Sequence, residues 1–330
     1  MTNDQFCFIP LFAFSSDFAY SFLSILFEGI PFLLLGSLLS GILDAFLPSK
    51  VMTRFLPKDS GMAIVLSGLL GAVFPMCECG SVMVVRRLIK KGLPISCATT
   101  YMLAAPIVNP VVALSTFAAF RGQTPWVMMS LRLSLGFLIA VVVGFIVRQI
   151  SPDKLLQKSI LDTLPGRRRA ARTGFRISAP QSDAVDLIEE TGRTSFRLKL
   201  LTASRSAASD FLDVAFLLVI GAALAGLFNT AVDQTRILPL ASSPLLSTVS
   251  LMSLAFVLAL CSTSDAFIAA SLVSFPFVAK LAFLVFGAMF DIKLYFLYGL
   301  VYRRRFVIAL LVGLFIGIGL ICVRLSVLNL

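Results

Sequence analysis

FPMCECGSVMVVRRLIKKGLPISCATTYMLAAPIVNP, residues 74–110, interrupts the apolar sequence twice, once near each of its ends. The first interruption places two thiols and a carboxylate side by side in Cys77-Glu78-Cys79, and the second is the proline-containing run 105–110. Non-helical backbone is tolerated at membrane depth only where protein or a water-filled cavity satisfies its polar groups. Paired interruptions inside apolar segments therefore favour the binding site of a transporter.

The composition indicates an all-α polytopic membrane protein. Of the 330 residues, 58% are hydrophobic and 14% are charged, whereas a soluble chain is about a quarter charged. Apolar runs long enough to cross a bilayer recur along the chain. The net charge of +11 collects in loops, as the cytoplasmic loops of membrane proteins require. We therefore expect membrane lipid as a partner and no nucleic acid.

Several classes of function are excluded by what the sequence lacks. Histidine is absent, which excludes imidazole metal ligands and histidine-based catalysis. The sequence has no phosphate-binding loop, catalytic triad or haem motif, so we expect neither an enzyme nor a resident cofactor. The missing nucleotide-binding motif also argues against a primary pump.

The second half of the chain repeats the order of the first half. A shift of 185 in numbering carries Glu28 onto Asp213, and a shift of 184 carries Cys77 onto Cys261. This correspondence predicts two inverted four-segment repeats, each with a broken helix and a re-entrant hairpin. The predicted parts are a first membrane repeat at 1–147, a basic linker at 148–205 and a second membrane repeat at 206–330.

The distribution of basic residues predicts the orientation of the repeats. If residues 62–91 re-enter the membrane with 77–80 at the tip, each half crosses an odd number of times and the halves are inverted. The linker and the basic loop 303–305 then lie on one side, which the positive-inside rule makes the cytoplasmic side of an inner membrane. The alternative is that 62–91 crosses fully, which would place 303–305 outside.

The cluster Cys77-Glu78-Cys79 is the sharpest chemical signal. Thiolates select zinc, copper(I) and similar soft ions, and trivalent arsenic is soft in the same sense. A helix that begins near Ser81 would point its N-terminus at this turn and favour thiolate over thiol. Two thiols and a carboxylate do not close a structural metal site, so we expect transient metal binding by these three residues. The alternative is that both cysteines are small apolar residues in a tight turn.

Other ionisable residues lie in or near apolar runs, where charges are costly and are functional candidates by default. Glu28 and Asp213 occupy matched positions, and we expect them to carry coupling protons or to bind a cation. Asp291 and Lys293 are equally consistent with a structural pair near the end of a span. The predicted substrate-binding residues are Cys77, Glu78, Cys79, Asn109, Cys261, Ser262, Asp265 and Asp291, and the predicted coupling residues are Glu28, Asp213 and Lys293.

Four motifs resemble one known family. They are FPMCECG at 74–80, AAPIVNPV at 104–111, CSTSDAFI at 261–268 and FGAMFDIK at 286–293. The chain resembles the predicted permease family that includes the ArsP-like organoarsenical efflux permeases. That resemblance implies an inner-membrane permease and, in one branch, export of trivalent organoarsenicals through membrane cysteines. Glu78 between the cysteines makes this chain more similar to the branch thought to work with a second membrane protein as a two-part permease.

Three functions are consistent with these features. The first is a secondary transporter that moves a thiophilic metal or metalloid species, or its organic adduct, across the inner membrane. The second is a transporter of another small solute, in which the cysteines are structural. The third is a non-transporting membrane thiol or scaffold subunit of a two-part complex. The paired broken helices favour transport.

Overall fold

The computed structural model describes residues 8–46, 61–73, 76–161, 196–231 and 243–327. Throughout these ranges the secondary structure is helical, and the only extended pairing described is one isolated bridge between Leu156 and Tyr302. The helices are α1 (Phe8–Phe46), α2 (Gly61–Val73), α3 (Glu78–Lys90), α4 (Ile95–Ala104), α5 (Pro110–Ala119), α6 (Pro125–Arg148), α7 (Pro152–Leu155), α8 (Lys158–Leu161), α9 (Phe196–Ala231), α10 (Pro244–Leu258), α11 (Asp265–Ser271), α12 (Phe277–Met289), α13 (Ile292–Tyr298) and α14 (Arg304–Val327).

Four of the described helices are long and apolar enough to cross a membrane. The qualifying segments are Phe18–Leu38 in α1, Pro125–Arg148 in α6, Ala207–Leu227 in α9 and Arg304–Ser326 in α14. Many large apolar side chains on these helices are exposed, such as Phe27, Leu138 and Ile316. Such surfaces are stable against lipid tails but not against water, so the all-α membrane class predicted from composition is confirmed.

Shorter apolar helices of 10–17 residues lie between these long helices in the chain, and α4 and α5 are two of them. The helix break predicted at residues 105–110 lies between the end of α4 at Ala104 and the start of α5 at Pro110. Asn109 caps the new helix, because its side-chain oxygen accepts a hydrogen bond from the backbone N–H of Val111 at 2.9 Å. Proline fits the first helical position, where its missing N–H removes no hydrogen bond. The local sequence therefore ends one helix and starts the next at this point.

α4 and α5 together run along the whole length of α6. Thr100 of α4 contacts Gly144 near the end of α6, whereas Ile107, after α4, contacts Gly136 at the middle of α6. A Cβ atom at Gly136 would lie 2.6 Å from Ile107 Cγ2, so the small residue is needed for this close approach. Residues 95–119 thus form one interrupted segment antiparallel to α6.

At one end of the bundle, the start of α4, the start of the linker and the loop before α14 contact one another. The hydroxyl groups of Thr99 and Tyr302 lie 2.8 Å apart. The backbone N–H of Arg303 donates to the carbonyl of Leu155 at 2.9 Å. The basic loop 303–305 and the beginning of the linker therefore lie at the same end. Most of the linker, residues 162–195, lies outside the described residues.

The opposite end joins the loop after α5 to the second half of the chain. Gln123 donates to the carbonyl of Ala270 at 3.4 Å and accepts from the ammonium of Lys280 at 3.3 Å. These contacts link the loop between α5 and α6 to the end of α11 and to the first turn of α12. The two ends of the bundle are thus each built from both halves.

α1 and α9 pack antiparallel and hold two of the short helices in place. A Cβ atom at Gly36 of α1 would lie 2.8 Å from the Cα of Gly80 in the first turn of α3. A Cβ atom at Gly221 of α9 would lie 2.9 Å from the Cα of Lys293 in the first turn of α13. Neither neighbour is a flexible side chain, so both helix starts are fixed by contacts that require glycine.

Candidate functional site

A cavity of about 130 Å³ lies where the starts of α3 and α13 meet the end of α10. The chain segment 77–79, the segment 259–261 and the side chain of Lys293 form its polar wall. Residues of α1 between Ser21 and Gly29, together with Leu218 of α9, form the rest. The cavity is therefore enclosed by the two long packed helices on one side and by interrupted helices on the other.

Three cysteines line this cavity. Cys77 is the N-cap of α3, and its sulfur accepts a hydrogen bond from the backbone N–H of Gly80 at 3.3 Å. Cys79 follows in the first turn of α3, and Cys261 lies in the connection between α10 and α11. The hydroxyl of Thr263 lies 3.5 Å from the Cys261 sulfur. The thiols predicted from spacing and from the repeat are thus brought to one wall.

The thiols do not form a closed metal site. Among the described residues, no group of three or more Cys, Asp or Glu side chains is arranged to hold a metal ion. A permanent structural site needs four ligands in tetrahedral geometry. The arrangement therefore differs from that of a structural zinc site, and transient binding of a metal remains a prediction.

Three charged residues meet beside the thiols. The Lys293 ammonium lies 3.2 Å from Glu78 Oε1 and 3.3 Å from Asp291 Oδ2. All three side chains are buried. Asp291 also caps α13, because its Oδ1 accepts a hydrogen bond from the backbone N–H of Leu294 at 2.7 Å. The structural pairing of Asp291 with Lys293 that the sequence allowed is present, and Glu78 joins it from the other half of the chain.

Ser262 connects this cluster to a second buried ion pair. Its hydroxyl donates to Glu78 Oε2 at 3.3 Å, and its backbone carbonyl accepts from Arg132 at 2.9 Å. Arg132 also lies 2.8 Å from Asp265 Oδ2 and donates to the hydroxyl of Thr116 at 2.8 Å. The two clusters therefore form one polar network between α3, α6, α11 and α13.

Arg132 is missing from the site that the sequence predicts. It is fully buried in the apolar helix α6, which contains no acidic residue. A buried charge without a partner on its own helix must find one elsewhere. That requirement is a signal the sequence does contain, and Asp265 of α11 is the partner.

The other predicted residues have different surroundings. Asn109 is buried as the cap of α5 and is not among the described residues that line the cavity. The backbones of Glu28 and Asp213 lie in α1 and α9, but their side chains are outside the described residues. Ile25 and Gly29, on either side of Glu28 in the chain, line the cavity.

The buried network carries unequal numbers of opposite charges when every group is ionised. The three carboxylates of Glu78, Asp265 and Asp291 face the two cations of Arg132 and Lys293. Glu78 Oε1 and Asp291 Oδ2 share the single ammonium group of Lys293. Because excess charge is costly in a low-dielectric interior, a cation that enters the cavity gains attraction from this network.

Replacement of Arg132 with Met should strongly destabilise the protein, because it leaves Asp265 buried without its partner. Removing one member of a buried pair typically costs about 3–5 kcal/mol. Adding Asp265→Asn to Arg132→Met should recover much of the loss, whereas Arg324→Met on the exposed end of α14 should have little effect. Thermal unfolding of the purified protein in detergent measures this. A double variant as unstable as the single variant would contradict the pairing.

Comparison with known proteins identifies the family. The family model described as a predicted permease, ArsP_1, matches residues 16–326. The UPF0718 protein YcgR of Bacillus subtilis is 35% identical over 291 residues, which cover 88% of this chain and 90% of that protein. A Streptococcus mutans protein named "Putative two-component membrane permease complex subunit" is 30% identical over 288 residues, which cover 87% of each. No solved structure matches. The chain belongs to the ArsP_1 family of predicted permeases, which makes it an integral membrane protein of a transporter family.

Proposed function

We propose that the protein is a secondary transporter that carries a thiophilic metal or metalloid species, or its organic adduct, across the inner membrane. The observation that carries this proposal is the cavity, whose wall holds Cys77, Cys79 and Cys261 beside Glu78. Thiolates bind soft ions, and a carboxylate adds attraction for a positive charge. Two or three thiols without a closed ligand shell suit a cargo that must leave again.

The transport cycle is proposed to use two inverted repeats, at 1–147 and 206–330, joined by a cytoplasmic linker at 148–205. The pattern of helix packing supports this. In the first half α2, α4 and α6 pack on one another, and in the second half α10, α12 and α14 do the same. Across the halves α3 packs on α13, and α5 packs on α11. Matched packing of this kind is expected for inverted-repeat transporters.

Residues 62–91 are proposed to form a re-entrant hairpin that enters from the cytoplasmic side. Gly61, at the start of α2, contacts Phe145 near the end of α6, whereas Gly71 contacts Ala105 at the α4–α5 break. The hydroxyl of Ser81, early in α3, lies 3.5 Å from the carbonyl of Met102. These contacts support an entry by α2, a tip at the middle of the bundle and a return by α3.

The remaining site residues are proposed to position the helix ends around the cavity and to add a ligand for the cargo. Ser262 and Asp265 hold the connection between α10 and α11 through Glu78 and Arg132, while Asp291 fixes the start of α13. Asn109 is proposed to present neutral oxygen atoms to the cargo when the α4–α5 break opens towards the cavity. In other transporters the carbonyl groups at such breaks coordinate the coupling cations.

Coupling is proposed to involve Glu28 and Asp213, with Lys293 as the charge that balances the cavity. The two carboxylates are carried by α1 and α9. A carboxylate at membrane depth needs a cavity, a cation or a proton. Exchange of a proton at these positions would connect the pH gradient to movement of the cargo.

A second membrane protein is a further proposed partner. The Streptococcus mutans relative is named as a subunit of a two-component membrane permease complex. The similarity to that relative over most of both chains supports an analogous assembly. In that arrangement the present chain would contribute the cysteine cavity.

Replacing Cys77, Cys79 or Cys261 with Ser should each lower transport by about tenfold or more, which corresponds to ~1.4 kcal/mol of lost ligand interaction. A hydroxyl keeps the size of a thiol but binds soft ions poorly. The measurement is resistance and accumulation in a deletion strain exposed to zinc, copper, cadmium, arsenite and methylarsenite. Cys322→Ser, in α14 and not among the cavity-lining residues, is the matched control. Wild-type resistance and accumulation in the triple variant would contradict binding of the cargo by these thiols.

Glu28→Gln and Asp213→Asn should impair transport driven by a pH gradient more than they impair cargo binding. Both substitutions keep the size of the side chain but cannot exchange a proton. Flux into liposomes and cargo affinity of the purified protein separate the two effects. Unchanged flux with an unchanged pH dependence in both variants would remove these residues from the coupling mechanism.

A further inference from the structure

The ammonium of Lys293 is surrounded by four oxygen atoms from three parts of the chain. It donates to the carbonyls of Ala259 at 2.9 Å and Leu260 at 3.1 Å. It lies 3.2 Å from Glu78 Oε1 and 3.3 Å from Asp291 Oδ2. Carbonyl and carboxylate oxygens are also the ligands that hard metal cations take from proteins. The oxygen atoms around Lys293 are therefore of the kinds that bind a metal cation, and the lysine ammonium lies among them.

The two carbonyls are available because α10 ends immediately before them. Ala259 has left-handed backbone at φ 47° and ends the helix. The last carbonyls of a helix have no partner within it, and a non-glycine residue in this conformation is uncommon. The chain thus turns out of the helix at the position where its free oxygens face Lys293.

The number of acceptors exceeds what an ammonium group can satisfy. A lysine has three N–H donors, and two of them are directed at the carbonyls of Ala259 and Leu260. Glu78 Oε1 and Asp291 Oδ2 are buried, and both lie within 3.3 Å of the ammonium nitrogen, where one N–H remains for the two of them. Four oxygens therefore share three donors, and at least one of them is held by the positive charge without a hydrogen bond of its own, as oxygens around a metal ion are.

The backbone around the site is fixed independently of the lysine side chain. Gly221 of α9 contacts the Cα of Lys293, and Gly36 of α1 contacts the Cα of Gly80, two residues after Glu78. Asp291 is also held by its bond to the N–H of Leu294. Removal of the ammonium group would therefore leave these backbone contacts and the Asp291 cap in place.

We propose that the ammonium of Lys293 occupies an alkali-cation site. When the ammonium is removed, the site binds Na⁺ or K⁺. While the ammonium is present, the stability of the protein does not depend on either ion. The site itself does not depend on the identity of the cargo. One consequence rests on the proposed function. The single positive charge of Lys293 balances only one of the two carboxylates of Glu78 and Asp291, so the remaining negative charge favours a cationic cargo next to the thiols.

The test is the thermal stability of purified Lys293→Met in detergent with choline, sodium or potassium chloride at equal ionic strength. Binding to the folded state raises the unfolding temperature as the ligand concentration rises. Lys293→Met should unfold several degrees higher in one or both alkali salts than in choline chloride, with a saturable dependence on the ion. A difference between sodium and potassium would identify the ion that fits. The wild-type protein should unfold at the same temperature in all three.

Lys280→Met is the matched control, because Lys280 is also buried but donates to the Gln123 side chain at the end of the bundle. It should show no preference among the three salts. Equal unfolding temperatures for Lys293→Met in all three salts would overturn the proposal.

A second variant covers the case in which Lys293→Met does not fold. Lys293→Met combined with Asp291→Asn restores the net charge of the cluster without a cation. If Lys293→Met fails to fold even in sodium and potassium while the double variant folds equally in all salts, the position needs only charge balance, and the proposal is wrong. Since unfolding is measured without cargo, this result is separate from any failure of the transport assay.

Discussion

The contact between Lys293 and Glu78 is the constraint on which the arrangement of the molecule depends. The two residues come from different halves of the chain, and both are buried. A buried charge is costly unless it is paired and hydrogen-bonded, so neither helix start can leave the centre of the bundle alone. The carbonyls at the end of α10 are drawn into the same cluster. Ionic contacts therefore hold the ends of α3, α10 and α13 together at the points where hydrogen bonding within each helix stops.

The close packing of α1 and α9 against the helix starts complements this electrostatic constraint. Glycine at 36 and 221 lets the two long helices touch the backbones of α3 and α13. The result is a small cavity that lies between the two long helices and the charged cluster. Non-helical backbone at membrane depth is tolerated only where protein or a water-filled cavity satisfies its polar groups, and the breaks before α3 and α13 lie in such surroundings.

The sequence predicts where helices break, but it does not predict which buried charges pair between distant helices. Proline and asparagine predict the break before α5, and the spacing of Cys77 and Cys79 predicts a thiol wall, because both depend on neighbouring residues. The pairing of Arg132 with Asp265 depends on how α6 and α11 pack, for which no local pattern exists. Lys293 was expected to couple transport or to pair with Asp291, but its contact with two carbonyls follows only from where α10 ends.

We propose that the two halves enter the membrane from opposite sides and meet at this cluster. The most direct measurement is labelling of single cysteines, in a cysteine-free background, with a reagent that cannot cross the membrane. A probe at Gln123 should react from outside the cell, whereas a probe at Gly92 or Ser182 should react only after the membrane is opened. Reaction at Gly92 from outside would mean that residues 62–91 cross fully, and it would contradict the account.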